Sequence, residues 1–182
     1  AQDTAWQPAS LTKLMTAYLT YQAIAHGTLK LDQTVPISVA AWHTGGSRMF
    51  ISPSMAVTVD ELLHGLIIDS GNDAAVALSE AVAGNQGSFV GLMNHQAKVL
   101  GLTGTNYTNV DGLPDPALHT TAMDVAKLSL AIIRDFPQYL KISIQKDYTY
   151  DNIRQRNWNP VVFPDATVDG VETGLTKEGG HC

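Results

Sequence analysis

Three short polar stretches carry the residue types and spacing that acid–base or acyl-transfer chemistry needs. The first is "PASLTKLMTAYLTY", residues 8 to 21, where Ser10 and Lys13 stand three apart at the start of an apolar run. A serine there is ordinarily a helix N-cap. On a helix, however, i and i+3 share a face, and an ammonium in the first turn meets the positive end of the helix dipole. Burial would lower its pKa further, and a neutral amine can take the proton of a serine that no histidine serves. The second stretch is "SGN", Ser70 to Asn72. It reads either as a C-cap glycine at Gly71 followed by an N-cap at Asn72 or Asp73, or as a hydroxyl that relays a proton beside an amide that holds a substrate carbonyl. The third is "DGVETGLT", Asp169 to Thr176. There Gly174, inside a strand-like segment, marks a bulge or the close approach of a ligand or another backbone.

These residues need elements to hold them. Leu11, Leu14, Met15, Tyr18, Leu19 and Ala23 recur three or four apart, which predicts a helix with one buried stripe ending at Gly27. "GTLKLDQTVPISVAAW" reads as an extended connection and "HTGGSRMFISPSMAVT" as loop. A second helix is expected from Thr58, which forms a capping box with Glu61. A third, "DAAVALSEAVAG", ends at Gly84, and a fourth, "GSFVGLMNHQAKVLG", has Phe89, Leu92, Met93, Ala97 and Leu100 at helical spacing. "LTGTNYTNVDGLPDPALHT" is too rich in Gly, Pro, Asn and Asp for regular structure. A fifth helix, "TAMDVAKLSLAIIRD", follows it, and after Pro137 the chain reads as strand and loop.

Composition narrows the function. The 182 residues, 45% of them hydrophobic, suit one domain with a sizeable core. A net charge of −6 with 11 scattered Lys and Arg removes the basic footprint of nucleic-acid binding. Cys182, the only cysteine, allows no internal disulfide and leaves the redox compartment open. No run approaches the roughly 20 apolar residues of a membrane span, and no signal peptide is expected in the chain as given. His26, His43, His64, His95, His119 and His181 show no paired ligand spacing, so neither a metal nor another cofactor is expected.

Taken singly, each polar stretch is better read as capping or turn chemistry. Together and in order they match Ser-x-x-Lys, Ser-x-Asn and x-Thr-Gly, the set shared by class A β-lactamases and penicillin-binding proteins. The chain resembles the low-molecular-mass penicillin-binding proteins that act as serine D-alanyl-D-alanine carboxypeptidases. The likeness rests on "PASLTKLMTAYL", "LLHGLIIDSGNDAAVALSEAVAG", "FVGLMNHQAKVLGLTGTNYTNVDGL" and "VDGVETGLTKEGG". Gly71 stands where β-lactamases have aspartate, and no Glu-x-x-x-Asn precedes "ETG"; both point to the carboxypeptidase branch.

The resemblance implies an α+β fold of the β-lactamase/DD-peptidase type, a helical subdomain packed on an antiparallel sheet with the cleft between them. It implies Ser10 as nucleophile, Lys13 as its base, Ser70 as proton relay and Asn72 as holder of the substrate amide. The strand from Glu172 through Thr173, Gly174, Leu175 and Thr176 would flank the substrate, with the N–H groups of Ser10 and Leu175 as oxyanion hole. The expected partners are peptidoglycan stem peptides or β-lactams, and the expected location is periplasmic or otherwise extracytoplasmic.

Two departures qualify this. Glu172 replaces the lysine of Lys-Thr-Gly, a charge reversal expected to repel the substrate's terminal carboxylate; Lys177 is no obvious substitute. The family's strands before Ser-x-x-Lys and after Thr-Gly are also missing from this chain, so the single domain over 1–182 is expected to be partial. Its open sheet edge would invite homo-oligomers. Two further readings follow: a promiscuous serine esterase acting on small esters, and a catalytically impaired remnant that binds peptidoglycan or a partner chain.

Overall fold

The computed structural model describes residues 2–164, 167, 170–176 and 180–181, with backbone alone at 175, 176, 180 and 181. Asp169, Lys177 and Cys182 lie outside the described residues. The chain opens with a 3-10 turn, Ala9–Thr12, that runs into helix α1, Lys13–Ala25. This helix is buried on nearly every side, from Lys13 through Tyr21, rather than along one stripe. The physical reason is that four helices surround it: α3 (Val59–Ile67), α4 (Asn72–Ala83), α5 (Gln86–Val99) and α6 (Ala122–Asp135) all pack against α1. A helix enclosed all round needs partners for its polar groups as well. Thr16 Oγ1 accordingly donates to the Val110 carbonyl at 2.7 Å, and Thr20 Oγ1 to the Thr16 carbonyl at 2.8 Å.

The expected helix starts at Thr58 and Thr121 are present. Thr58 Oγ1 accepts from Glu61 N–H at 3.2 Å while Glu61 Oε2 accepts from Thr58 N–H at 2.8 Å, the reciprocal arrangement of a capping box. Thr121 Oγ1 caps α6 by accepting from Asp124 N–H at 3.1 Å. Two short helices were not expected. α2, Val39–Trp42, interrupts the segment read as extended; its N-cap Ser38 accepts from Ala41 N–H, and that one capping bond decides a four-residue element that periodicity cannot register. α7, Gln138–Ser143, follows Pro137, whose fixed φ suits a helix start.

The strands form three separate two-stranded antiparallel ladders: β1 (Thr34–Val35) with β2 (Val57–Thr58), β3 (Asp147–Tyr150) with β4 (Ile153–Arg156), and β5 (Leu175–Thr176) with β6 (Gly180–His181). The fold is thus a helical body carrying small antiparallel ladders, an α+β arrangement. Among the described residues no ladder has a third strand, so every one of them has open edges.

Candidate active site

The turn before α1 is held in an unusual backbone. Ala9 has φ +48, a region that an L side chain enters only where its surroundings over-determine it. Those surroundings are two glycines. Gly112, at φ +87, lies so close under the Ala9 carbonyl that a Cβ there would overlap it. Gly174, just before β5, also approaches, where a Cβ would sit 3.2 Å from the Pro8 carbonyl, the Ala9 Cβ and the Ser10 nitrogen. The close backbone approach expected at Gly174 is therefore an approach to the residues that carry Ser10.

Ser10 makes no capping bond, so its hydroxyl is not engaged in closing the helix. It faces Lys13 instead, with Nζ 3.0 Å from Ser10 Oγ. Lys13 is 1% exposed, and its Nζ also donates to the Asp111 carbonyl at 2.7 Å. That carbonyl fixes the amine against Ser10. Desolvation by burial pushes the Lys13 pKa down to about 8, against the opposing charges of Glu172, Asp111 and Asp73. Protonated, the amine donates to Ser10 Oγ as well as to the Asp111 carbonyl; once neutral it can turn its lone pair to the Ser10 hydroxyl.

The second motif sits where α3 passes into α4. The left-handed residue is Ser70, at φ +50, while Gly71 is extended at φ −66 and serves as the N-cap of α4, so the capping reading placed the turn one residue late. Ser47 Oγ holds the Ser70 carbonyl at 2.6 Å, and Asn72 Nδ2 donates to the Gly45 carbonyl at 2.7 Å. Ser70 Oγ and Asn72 Oδ1 are buried with no hydrogen-bond partner among the described residues. Two polar atoms left so are ready for a bound group. The loop facing them is tied to α4 by Asp73, whose Oδ1 accepts from Met49 N–H and Ala74 N–H and whose Oδ2 accepts from Phe50 and Ile51 N–H, all at 2.9–3.2 Å.

Between these parts lies a cleft of about 760 Å3, lined by Ser10 and Ser70, by Gly46 and Ser47, by Thr173 and Gly174, and by the segment Trp158–Val161. Glu172 does not line it. Its carboxyl is half-buried by surface area yet enclosed by protein; desolvation pushes its pKa up to about 8, while the nearby Lys13 charge and the Thr173 N–H, which donates to Oε1 at 3.1 Å, pull the other way. The segment is anchored by Tyr139 O–H, which donates to the Val171 carbonyl at 2.7 Å. Leu175 and Thr176 form β5, which packs on the turn that carries Ser10. The Asp111 carbonyl, Ser47 and the Trp158–Val161 wall carry no sequence signal, because all three act through loops whose positions depend on tertiary packing.

Beside Ser70, Asp69 is 1% exposed and neither carboxyl oxygen has a partner among the described residues. Desolvation, then the charge of Asp73, pushes its pKa up to about 7. An acid whose folded pKa is raised binds more protons folded than unfolded between about pH 4 and 7, so stability falls as pH rises through that window. Asp69→Asn is expected to flatten this fall and gain about 2–4 kcal/mol over the wild type at pH 8. Urea midpoints at pH 5 and pH 8 check it; parallel pH dependence in both proteins would refute it.

The chain is similar to known proteins over nearly all of its length. DacC, a D-alanyl-D-alanine carboxypeptidase of Escherichia coli, is 44% identical over 98% of this chain and 46% of its own length. The solved structure of penicillin binding protein 5 from Haemophilus influenzae superposes with a TM-score of 0.94 at 39% identity, covering 99% of this chain and 54% of that one. The D-alanyl-D-alanine carboxypeptidase DacD of Francisella tularensis gives a TM-score of 0.94 at 31% identity, over 100% of this chain and 56% of that one. The chain thus spans about half the length of the relatives it matches. Because the D-alanyl-D-alanine carboxypeptidase family model matches residues 1–182, the whole of the sequence, the chain belongs to that family.

Proposed function

We propose that this chain carries the acyl-transfer site of a serine D-alanyl-D-alanine carboxypeptidase. The observation that supports it most is the buried Lys13 amine, held by the Asp111 carbonyl at 3.0 Å from Ser10 Oγ. In the reaction Ser10 Oγ attacks the carbonyl of the terminal D-Ala–D-Ala bond of a peptidoglycan stem peptide and its proton passes to Lys13 Nζ. The negative oxygen is met by the N–H groups of Ser10 and Leu175. The proton reaches the leaving nitrogen through Ser70, D-alanine departs, and water then cleaves the acyl-enzyme. Asn72 and the Thr173–Gly174 backbone hold the substrate amides. A β-lactam enters the same path, its ring amide opening to leave a Ser10 ester.

Peptidoglycan places this activity outside the cytoplasm. No helix among the described residues is long and apolar enough to cross a membrane. Glu172 weakens the reaction, since it takes away the ammonium that the motif of the family carries at this position. A second reading, hydrolysis of small neutral esters by the same pair, is favoured by the cleft itself, whose described lining carries no charged side chain to select an anionic substrate.

The deciding experiment is intact-mass measurement after incubation with benzylpenicillin. One covalent adduct per chain, located on the peptide that contains Ser10, is the expected result. No adduct together with saturable binding to peptidoglycan would overturn the enzymatic reading in favour of a binding remnant.

A further inference from the structure

One wall of the cleft has no role in the steps above. Trp158, Pro160 and Val161 face Ser10 and Ser70 across the opening, and Trp158 and Val161 remain 57% and 49% exposed. Large apolar side chains left open to water inside a cleft are an unsatisfied surface, and an aromatic face prefers a flat or apolar partner. The wall is also stiff. Asn157 Nδ2 donates to the carbonyls of Ser143 and Gln145 at 2.9 and 2.8 Å, and Asn157 Oδ1 accepts from Asn159 N–H at 2.8 Å. Asn159 Oδ1 accepts in turn from Val161 N–H at 3.1 Å, and Trp158 N–H reaches the Ile68 carbonyl at 3.3 Å. These bonds fix the backbone that carries the indole beside the end of α3, one short step before Ser70. A platform held this way loses little freedom when something lies on it.

The geometry points to Trp158 as a specificity-determining residue: with Pro160 and Val161 it receives the apolar, preferably aromatic, side group on the acyl part of the substrate, the part that stays on Ser10. This rests on the proposed acyl transfer and names the acyl donor it prefers. The leaving group departs from the other side of the scissile carbonyl. The described lining offers no charge, so a neutral side group is preferred over an ionised one.

The test compares two β-lactams that share a reactive ring: benzylpenicillin, which bears a phenylacetyl group, and 6-aminopenicillanic acid, which bears a free amine there. The rate of acylation is read by mass for the wild type, Trp158→Ala and Trp158→Phe. The preference for benzylpenicillin is expected to fall about ten-fold in Trp158→Ala, the equivalent of roughly 1.4 kcal/mol, and to return in Trp158→Phe. The loss should lie in the concentration giving half-maximal rate rather than in the maximal rate. An unchanged preference in Trp158→Ala overturns the inference. If neither compound acylates the wild type, the functional reading fails, and a second measurement judges the platform alone. N-phenylacetylglycinamide should then perturb tryptophan fluorescence of the wild type at about ten-fold lower concentration than N-acetylglycinamide. Equal responses to both amides in the wild type would refute it.

Discussion

Ser10→Ala and Lys13→Ala are each expected to abolish acylation by penicillin, with losses of at least about 10^4-fold, the scale seen when a nucleophile or its base is removed. The two losses should not add, because the residues act as one unit. What separates chemistry from folding here is that Ser10 closes no helix: no capping bond is lost with its hydroxyl. The change removes one hydrogen bond from a lysine that keeps the Asp111 carbonyl, a cost of about 1 kcal/mol. Lys13→Ala is harsher, since it empties a buried site and strands that carbonyl, so Lys13→Met, which keeps the volume, is the better companion variant. Adduct formation and thermal melting, measured on the same samples, check both. Labelling that persists in Ser10→Ala would overturn the assignment of the nucleophile.

Near pH 8 and above, where Glu172 ionises, Glu172→Gln is expected to acylate faster than the wild type, and Glu172→Lys faster still. The carboxylate acts by two routes. It raises the pKa of Lys13, and a base must be neutral to accept a proton, so acylation climbs as pH passes through the Lys13 pKa of about 8. Removing the negative charge lowers that pKa and moves the rising limb to lower pH; adding a positive charge moves it further. One unit of displacement is worth up to about ten-fold on the rising limb, and this part is felt by neutral esters and penicillins alike. The second route is the field on an anionic substrate, weaker because Glu172 does not line the cleft. Penicillin and peptide should therefore gain only modestly more than a p-nitrophenyl ester in Glu172→Lys, both gaining about one decade through the lysine. pH–rate profiles for both substrate types check the division. Equal rates in the wild type and both variants would rule out both routes.

Much of the helical body was legible because its signals are local. Thr58 with Glu61 and Thr121 with Asp124 start helices through bonds within one turn, and the periodic segments between residues 72 and 135 lie where their spacing puts them. What was misread depends on partners far along the chain. α1 looks amphipathic in its own sequence, but four other helices close round it. α2 and α7 are too short for periodicity to register. The left-handed turn falls on Ser70 rather than on Gly71 because Ser47 and Asn72 tie the loop from residues 45 to 47 against it. Of the candidate site, Ser10, Ser70, Thr173 and Gly174 share one cleft and Lys13 touches Ser10, whereas Glu172 is not among the residues that line the opening. The wall at Trp158 gave no sign, since nothing in "RNWNPVVF" says which loop it will face.

The two glycines that grip Ala9 and Ser10 bear on how such a site changes over generations. Divergence goes where there is volume for it. Position 172 has room for a side chain, and there the charge has reversed relative to the Lys-Thr-Gly pattern. Position 112 has none, because any Cβ would enter the Ala9 carbonyl, and at 174 the turn would have to yield by a few tenths of an ångström. Charge beside Ser10 can therefore change at position 172 while the two glycines keep the backbone under Ser10 fixed.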